Sequence, residues 1–306
     1  MIYFPPWKCM LMISDRTCGL FPGTGIVIRN GGGGMRQKAD WRRILIVCVS
    51  AALLFAMAAL CFAEVLMPES GKKTKKDGGM TVDYSHSDNG YVMVKASKGK
   101  KKYKLRVKMG DTTLTYDLNT SGKYEVIPLQ FGNGKYTFTL YKNVSGKKYS
   151  EEGKVSITAK MPDELKAFLY PNQYVDYDAK TSAVVEANKI CADMKDQKKI
   201  YKTICDYMKS HFAYDYIKSV SVKAGQLPQI EDAWKKHMGI CQDLAAIMVA
   251  MLRSQGVPAR LMIGTLNAST YHAWVTAVVN GEEMFFDPTA ALNAVSNGSY
   301  TVERYY

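Results

Sequence analysis

Two hydrophobic patterns divide this chain of 306 residues. Between residues 80 and 160, apolar and polar positions alternate in short runs at 91–95, 103–108, 113–117, 136–141 and 155–158. Turn-forming residues separate the runs: Ser97-Lys98-Gly99, Gly110-Asp111, Ser121-Gly122, Gly132-Asn133-Gly134 and Ser145-Gly146. Period-two runs at ~8–12-residue spacing predict an antiparallel β-sandwich. Lysines recurring through 101–108 mark a solvated sheet face. The tyrosines of this stretch are accounted for by core and cross-strand packing. No catalytic cluster is visible here, so a binding or spacer module is expected.

From residue 161 the pattern becomes mixed. Helices are predicted at about 181–194 and 196–211, the second with Ile200, Ile204 and Met208 on one face. Leu244, Ile247, Met248, Met251 and Leu252 share a face of a third helix over 241–255, closed by Gly256 and Pro258. Residues 259–266 and 272–279 read as strands. Asn280-Gly281 after the second is a strong hairpin signal, and 282–287 is the return strand. Residues 216–232 read as an irregular loop that walls a cleft. The fold class is therefore α+β, with a sandwich first and helices packed on an antiparallel sheet after it.

Chemistry enters with three residues of this second part. Cys241 falls in the first turn of its predicted helix, where unpaired N–H groups and the positive dipole end favour a thiolate. A two-residue loop pairs 279 with 282, so His272 falls opposite Thr289 and Asp287 opposite Trp274. His272 and Asp287 are then diagonal neighbours on one face, ~7–8 Å apart at the backbone. A three-residue loop would put them on opposite faces. Pro288 lacks a ladder donor and should end the strand beside the carboxylate. Alone, Cys241 reads as a buried helix cap, His272 as a strand histidine and Asp287-Pro288 as a turn. Together they form a nucleophile, a base and a group that orients the base.

These residues resemble a known family. Gly239-Ile240-Cys241-Gln242-Asp243-Leu244-Ala245, the stretch from Leu252 to Arg260, His272-Ala273-Trp274 and Asp287-Pro288-Thr289 look like the core signature of the bacterial transglutaminase-like superfamily. The resemblance covers roughly 161–306 and implies a papain-like core, with Cys241 as nucleophile, His272 as general base and Asp287 as its orienter. It also implies a thioester intermediate on protein or peptide amides. Opening of that thioester by an amine is acyl transfer; opening by water is deamidation or peptide hydrolysis; a non-catalytic envelope scaffold is the third reading. The chain departs from the family at Met284-Phe285-Phe286, where a Trp is common, and shows no calcium loop. Beside the Cys241 N–H, Gln226, Gln229 or Trp234 would supply a second oxyanion donor.

The N-terminal region carries an address. Met35 to Arg43 is basic, 44–63 is an unbroken apolar run of 20 residues, and Cys61-Phe62-Ala63 precedes Glu64. That is the form of a secretory signal, and the run is also long enough to be an uncleaved anchor. Met35 is the expected start, with 1–34 a non-native upstream extension. Residues 64–79 read as a basic linker, 80–160 as the sandwich and 161–306 as the catalytic domain. A secreted or membrane-anchored location in the bacterial envelope follows.

The net charge is +13; residues 1–63 hold seven Lys/Arg against two Asp/Glu, leaving +8 for the rest. Outside the cytoplasm such a charge draws a protein to anionic walls or membrane surfaces. Of seven cysteines only Cys191, Cys205 and Cys241 follow residue 63. Cys191 and Cys205 would lie ~20 Å apart on one continuous helix but within reach in a helical hairpin, so pairing stays open. No paired Cys/His spacing suggests zinc, no Gly-rich phosphate loop suggests a nucleotide, and no nucleic-acid module is present. No cofactor is expected.

Overall fold

The computed structural model describes residues 64–293 and 298–306. The proposed upstream extension and the signal or anchor segment, 1–63, lie outside the described residues. Among the described residues, no helix is long and apolar enough to cross a membrane.

The first half is built from eight strands: β1 (Thr74–Asp77), β2 (Met80–Asp83), β3 (Tyr91–Ala96), β4 (Tyr103–Met109), β5 (Thr112–Leu118), β6 (Glu125–Pro128), β7 (Gly134–Ser145) and β8 (Lys148–Ala159). They form two antiparallel four-stranded sheets, ordered β1-β2-β3-β6 and β5-β4-β7-β8. The alternation works as the sequence predicts. Tyr103, Leu105 and Val107 are buried while Arg106 and Lys108 face solvent. Val82, Val94 and Ile127 of one sheet belong to the same buried cluster as Leu105, Phe138 and Leu140 of the other.

The stretch read as a linker behaves differently in its second half. Thr74 to Asp77 pair with Met80 to Asp83 across a Gly78-Gly79 turn. Gly78 has φ +52°, and a Cβ there would fall 1.7 Å from the Glu152 carbonyl oxygen. The paired glycines make a tight turn against a neighbouring strand, where a flexible tether was expected.

The second half contains α1 (Ser182–Ile190), α2 (Gln197–His211), β9 (Ala213–Tyr214), α3 (Tyr216–Ser221), α4 (Ile230–Lys236), β10 (Met238–Gly239), α5 (Cys241–Ser254), β11 (Ala259–Leu266), β12 (Thr270–Val279), β13 (Glu282–Phe286), α6 (Pro288–Leu292) and β14 (Tyr300–Tyr305). The antiparallel sheet is ordered β13-β12-β11-β14, and β9 and β10 pair in parallel. Two short helices, α3 and α4, occupy the stretch expected to be irregular. Cys191 and Cys205 are free, buried thiols, and burial pushes each up to about 11.

The helix that begins at Cys241 departs from the predicted amphipathic form. Every residue from Asp243 to Ser254 is buried, because α5 lies between the sheet and the other helices. Ala245, Ala246, Val249 and Ala250 supply the small faces that let neighbours approach on all sides. Arg253 near its end is 1% exposed and donates to the carbonyls of Ala259 (2.9 Å), Tyr170 (2.7 Å) and Tyr306 (2.9 Å). One guanidinium thus ties together the carbonyls of three segments far apart in the chain.

Candidate active site

The hairpin has the predicted register. Val279 pairs with Glu282, Ala277 with Met284 and Val275 with Phe286. Asn280 (φ +52°) and Gly281 (φ +84°) take the left-handed conformations of a type I′ turn. His272 and Asp287 therefore reach each other, with Nε2 and Oδ2 at 2.7 Å. Both residues are 5% exposed.

The strand ends for a further reason besides Pro288. Asp287 is the N-cap of α6, and its Oδ1 accepts from the backbone N–H groups of Thr289 (2.9 Å) and Ala290 (3.1 Å). Proline suits the first position of a helix, where no partner for its nitrogen is needed. Oδ2 accepts from His272 and from the Tyr300 hydroxyl at 2.7 Å. Four donors thus hold one carboxylate, and the two from the helix start and the two from ring and phenol fix its orientation. Tyr300 has no signal in the sequence, because β14 reaches this place by pairing with β11. Trp274, 2% exposed, packs edge-on against Tyr300 at 5.0 Å and covers the pair.

The ionisation of the pair follows from this packing. Burial is the largest influence on His272 and lowers its pKa. The hydrogen bond to Asp287, the Cys241 sulfur and both charges outweigh burial, lifting the ring to about 9. Burial raises Asp287 most, but its bonds to His272, Tyr300 and Ala290 leave it below the usual carboxylate range. The folded ring binds its proton more tightly than the unfolded one. The stability this contributes is fully present below the ordinary value of 6.5 and is lost as pH rises through about 9. Melting temperature is thus expected to fall between pH 6.5 and 9, and to fall less steeply in His272→Gln.

Cys241 opens α5 and is half-buried. Because Nε2 of His272 is held by Asp287, Nδ1 is the ring nitrogen left for the thiol. Ile240, the N-cap, has no side-chain acceptor, so the helix start is secured from the other direction. Asp243, wholly buried, accepts from the Ile240 N–H at 3.1 Å. It also accepts from the Gln229 N–H at 2.9 Å and from the Lys218 ammonium at 2.7 Å. One carboxylate joins α3, the start of α4 and the turn before Cys241. Asp243 stands inside the Cys241-Gln242-Asp243 motif, and its third position in the helix is the available sign of a capping role.

Cys241 lies on a cleft of about 630 Å³ whose walls include Tyr174, Tyr214, Tyr271, Gln226 and Arg304. The stretch from Ser219 to Gln226 forms one wall, as the sequence suggests. Of the three side chains considered as oxyanion donors, Gln226 alone lines the cleft. The Gln229 side-chain amide donates to the Leu227 carbonyl at 3.4 Å, and Trp234 stacks on Tyr207 at 5.9 Å. Tyr214 reaches the cleft through the Tyr214–Gly239 pairing of β9 and β10. Burial and the nearby Cys241 sulfur both raise its pKa. Among the described residues, no group of three or more His, Cys, Asp or Glu side chains is placed to hold a metal.

Residues 186–288 match the family model described as Transglutaminase-like superfamily. No curated protein matches the chain in sequence. Among solved structures, the chain is similar to a candidate cysteine protease from Cytophaga hutchinsonii, with 16% identity over 71% of this chain and 91% of that one, at a TM-score of 0.35. It is similar to the periplasmic domain of TgpA from Pseudomonas aeruginosa, with 15% identity over 74% and 76% of the two chains, at 0.35. A third is red sea bream transglutaminase, with 12% identity over 65% and 47%, at 0.30. The segment that holds the helix beginning at Cys241, the His272 strand and Asp287 thus lies within a match to a transglutaminase-like domain.

Proposed function

We propose that this protein is a cysteine-dependent acyl-transfer enzyme acting on protein or peptide amides, attached to or released from the outer side of a bacterial membrane. The buried 2.7 Å contact between His272 and Asp287, with the ring's other nitrogen left to Cys241, carries the reading. A ring that keeps its proton up to about pH 9 places a cation beside the sulfur at neutral pH. The address rests on the basic and apolar stretch 35–63.

The steps balance without a cofactor. The Cys241 sulfur adds to the amide carbonyl, and the carbonyl oxygen takes the negative charge near the Cys241 N–H and Gln226. The C–N bond breaks as His272 gives its proton to the departing nitrogen. A thioester and a neutral imidazole remain. The ring then takes a proton from an incoming amine or water, the C–S bond breaks, and the thiolate–imidazolium pair is restored. A second reading, a peptidase in which water is the acceptor, draws support from Lys223 and Arg304 on the cleft wall. These cations disfavour approach of a lysine ammonium.

Incubation with a glutamine-containing protein and a fluorescent primary amine tests both branches. Amine incorporation marks the transferase and new termini mark the peptidase; Cys241→Ala gives neither. Iodoacetamide at pH 6 is expected to modify Cys241 stoichiometrically. A thiol inert until pH 9, with no product in either assay, would leave only the scaffold.

A further inference from the structure

The cleft beside Cys241 has a one-sided charge. Among its described lining residues, the ionisable side chains besides the cysteine and the tyrosines are Lys223 and Arg304, and no carboxylate is present. The acids around it do not line it. Asp243 is buried against Lys218, and Asp215 caps α3 through the Lys218 N–H at 2.8 Å. Glu303 meets one Arg304 nitrogen at 3.4 Å but does not line the cleft.

Arg304 is positioned for recognition. A second nitrogen donates to the Tyr271 hydroxyl, and the guanidinium lies 5.6 Å from the centre of the Tyr271 ring. The side chain is 29% exposed, so it is braced by aromatic neighbours yet open on one side. A braced guanidinium presents its planar fork to a carboxylate with little further loss of freedom. Tyr174, Tyr214 and Tyr271 line the approach to it. Lys223 stands on the loop that forms the cleft's wall, beside the turn at Gly225 (φ +80°).

We propose that the acyl donor is an acidic peptide, with a carboxylate close to the attacked amide seated on Arg304 and drawn in by Lys223. The proposal rests on the acyl-transfer reading for the reaction, while the charge preference of the cleft stands apart from it. The two are separable by experiment on the full chain. Cys241 is modified with methanethiosulfonate reagents carrying either an ethylsulfonate or an ethylammonium group, at low salt, with rates normalised to 2-mercaptoethanol. The anionic reagent is expected to react faster by roughly tenfold or more, the yield of one charge-assisted hydrogen bond. The ratio is expected to fall toward that of the free thiol in Arg304→Gln, to invert in Arg304→Glu, and to fall by a smaller factor in Lys223→Gln. Lys135→Gln, on an exposed position of β7, leaves it unchanged and controls for net charge. High salt is expected to weaken the preference.

In parallel, amide turnover is compared for a peptide with Glu and a peptide with Lys beside the reactive glutamine. A Glu preference in kcat/KM that disappears in Arg304→Gln supports the proposal. Turnover with equal rates for both peptides overturns it and leaves the acyl-transfer reading intact. An anionic preference in thiol modification without turnover of either peptide supports the charge selectivity and removes the acyl-transfer reading. Equal modification by the two reagents, in a variant set that keeps its circular dichroism melt, overturns the proposal. Lys223→Gln keeps the test open if the Arg304 variants fail to fold.

Discussion

Asp287→Asn is expected to lower acyl-transfer turnover about 10⁴-fold while the protein still folds, the size of loss that the same change produces in a Ser-His-Asp triad. Asparagine is as good an N-cap as aspartate, so its Oδ1 keeps the Thr289 and Ala290 N–H groups and α6 keeps its start. The loss comes from the other side of the residue. An amide nitrogen facing His272 donates where the carboxylate accepts. Nε2 then becomes the acceptor, and the ring proton moves to Nδ1, toward the sulfur. In that tautomer the ring cannot take a proton from the thiol. The charge that lifts the ring to about 9 is also gone, so alkylation of Cys241 at pH 6 is expected to slow with turnover. An Asp287→Asn enzyme that retains both, with an unchanged melt, would show that this carboxylate orients nothing. Tyr300→Phe removes one of the two donors on Oδ2 and is expected to have a much smaller effect, because His272 remains bound.

Asp243→Ala is expected to cost about 3–5 kcal/mol, the loss seen when one member of a buried ion pair is deleted. The variant leaves the Lys218 ammonium and the N–H groups of Gln229 and Ile240 without acceptors. For a chain of this size that is a fall in melting temperature on the order of 10 °C. Function suffers with stability, because the same three contacts fix the turn that delivers Cys241. The double variant Asp243→Asn with Lys218→Met is expected to recover part of the loss, since it removes the stranded charge together with its partner. Thermal unfolding of the two variants decides the matter. A single variant as stable as the parent would mean that water reaches Asp243 and replaces its partners.

Much of the site was legible because its information is local. Two residues between paired strands set the parity of everything along the hairpin, and Asn280-Gly281 announces them. An apolar face following Gly239 announces the helix that begins at Cys241. The strands of the sandwich were legible for the same reason, since each reports its own burial through alternation. Local reading failed where one residue serves two elements. Asp287 ends a strand and caps a helix, and its sequence context reads as a turn. Thr74 to Asp77 read as a charged tether, yet a Gly-Gly turn folds them back onto β2 as an exposed edge strand. Lysine on such an edge suits solvent and discourages further pairing.

The amino-acid sequence by itself determined the main helices and the hairpin of the second half, the register that puts His272 and Asp287 on one face, and the placing of Cys241 at a helix start. Each depends on residues within a few positions, through turn geometry and side-chain period. Tertiary structure alone decided that α5 is enclosed on every side, that Tyr300 and Asp243 secure the two halves of the site, and that Arg304 and Lys223 leave the cleft positive. Those features join segments far apart in the chain, and the pairing of β14 with β11 and the burial of Asp243 against Lys218 are settled by packing that no local pattern encodes.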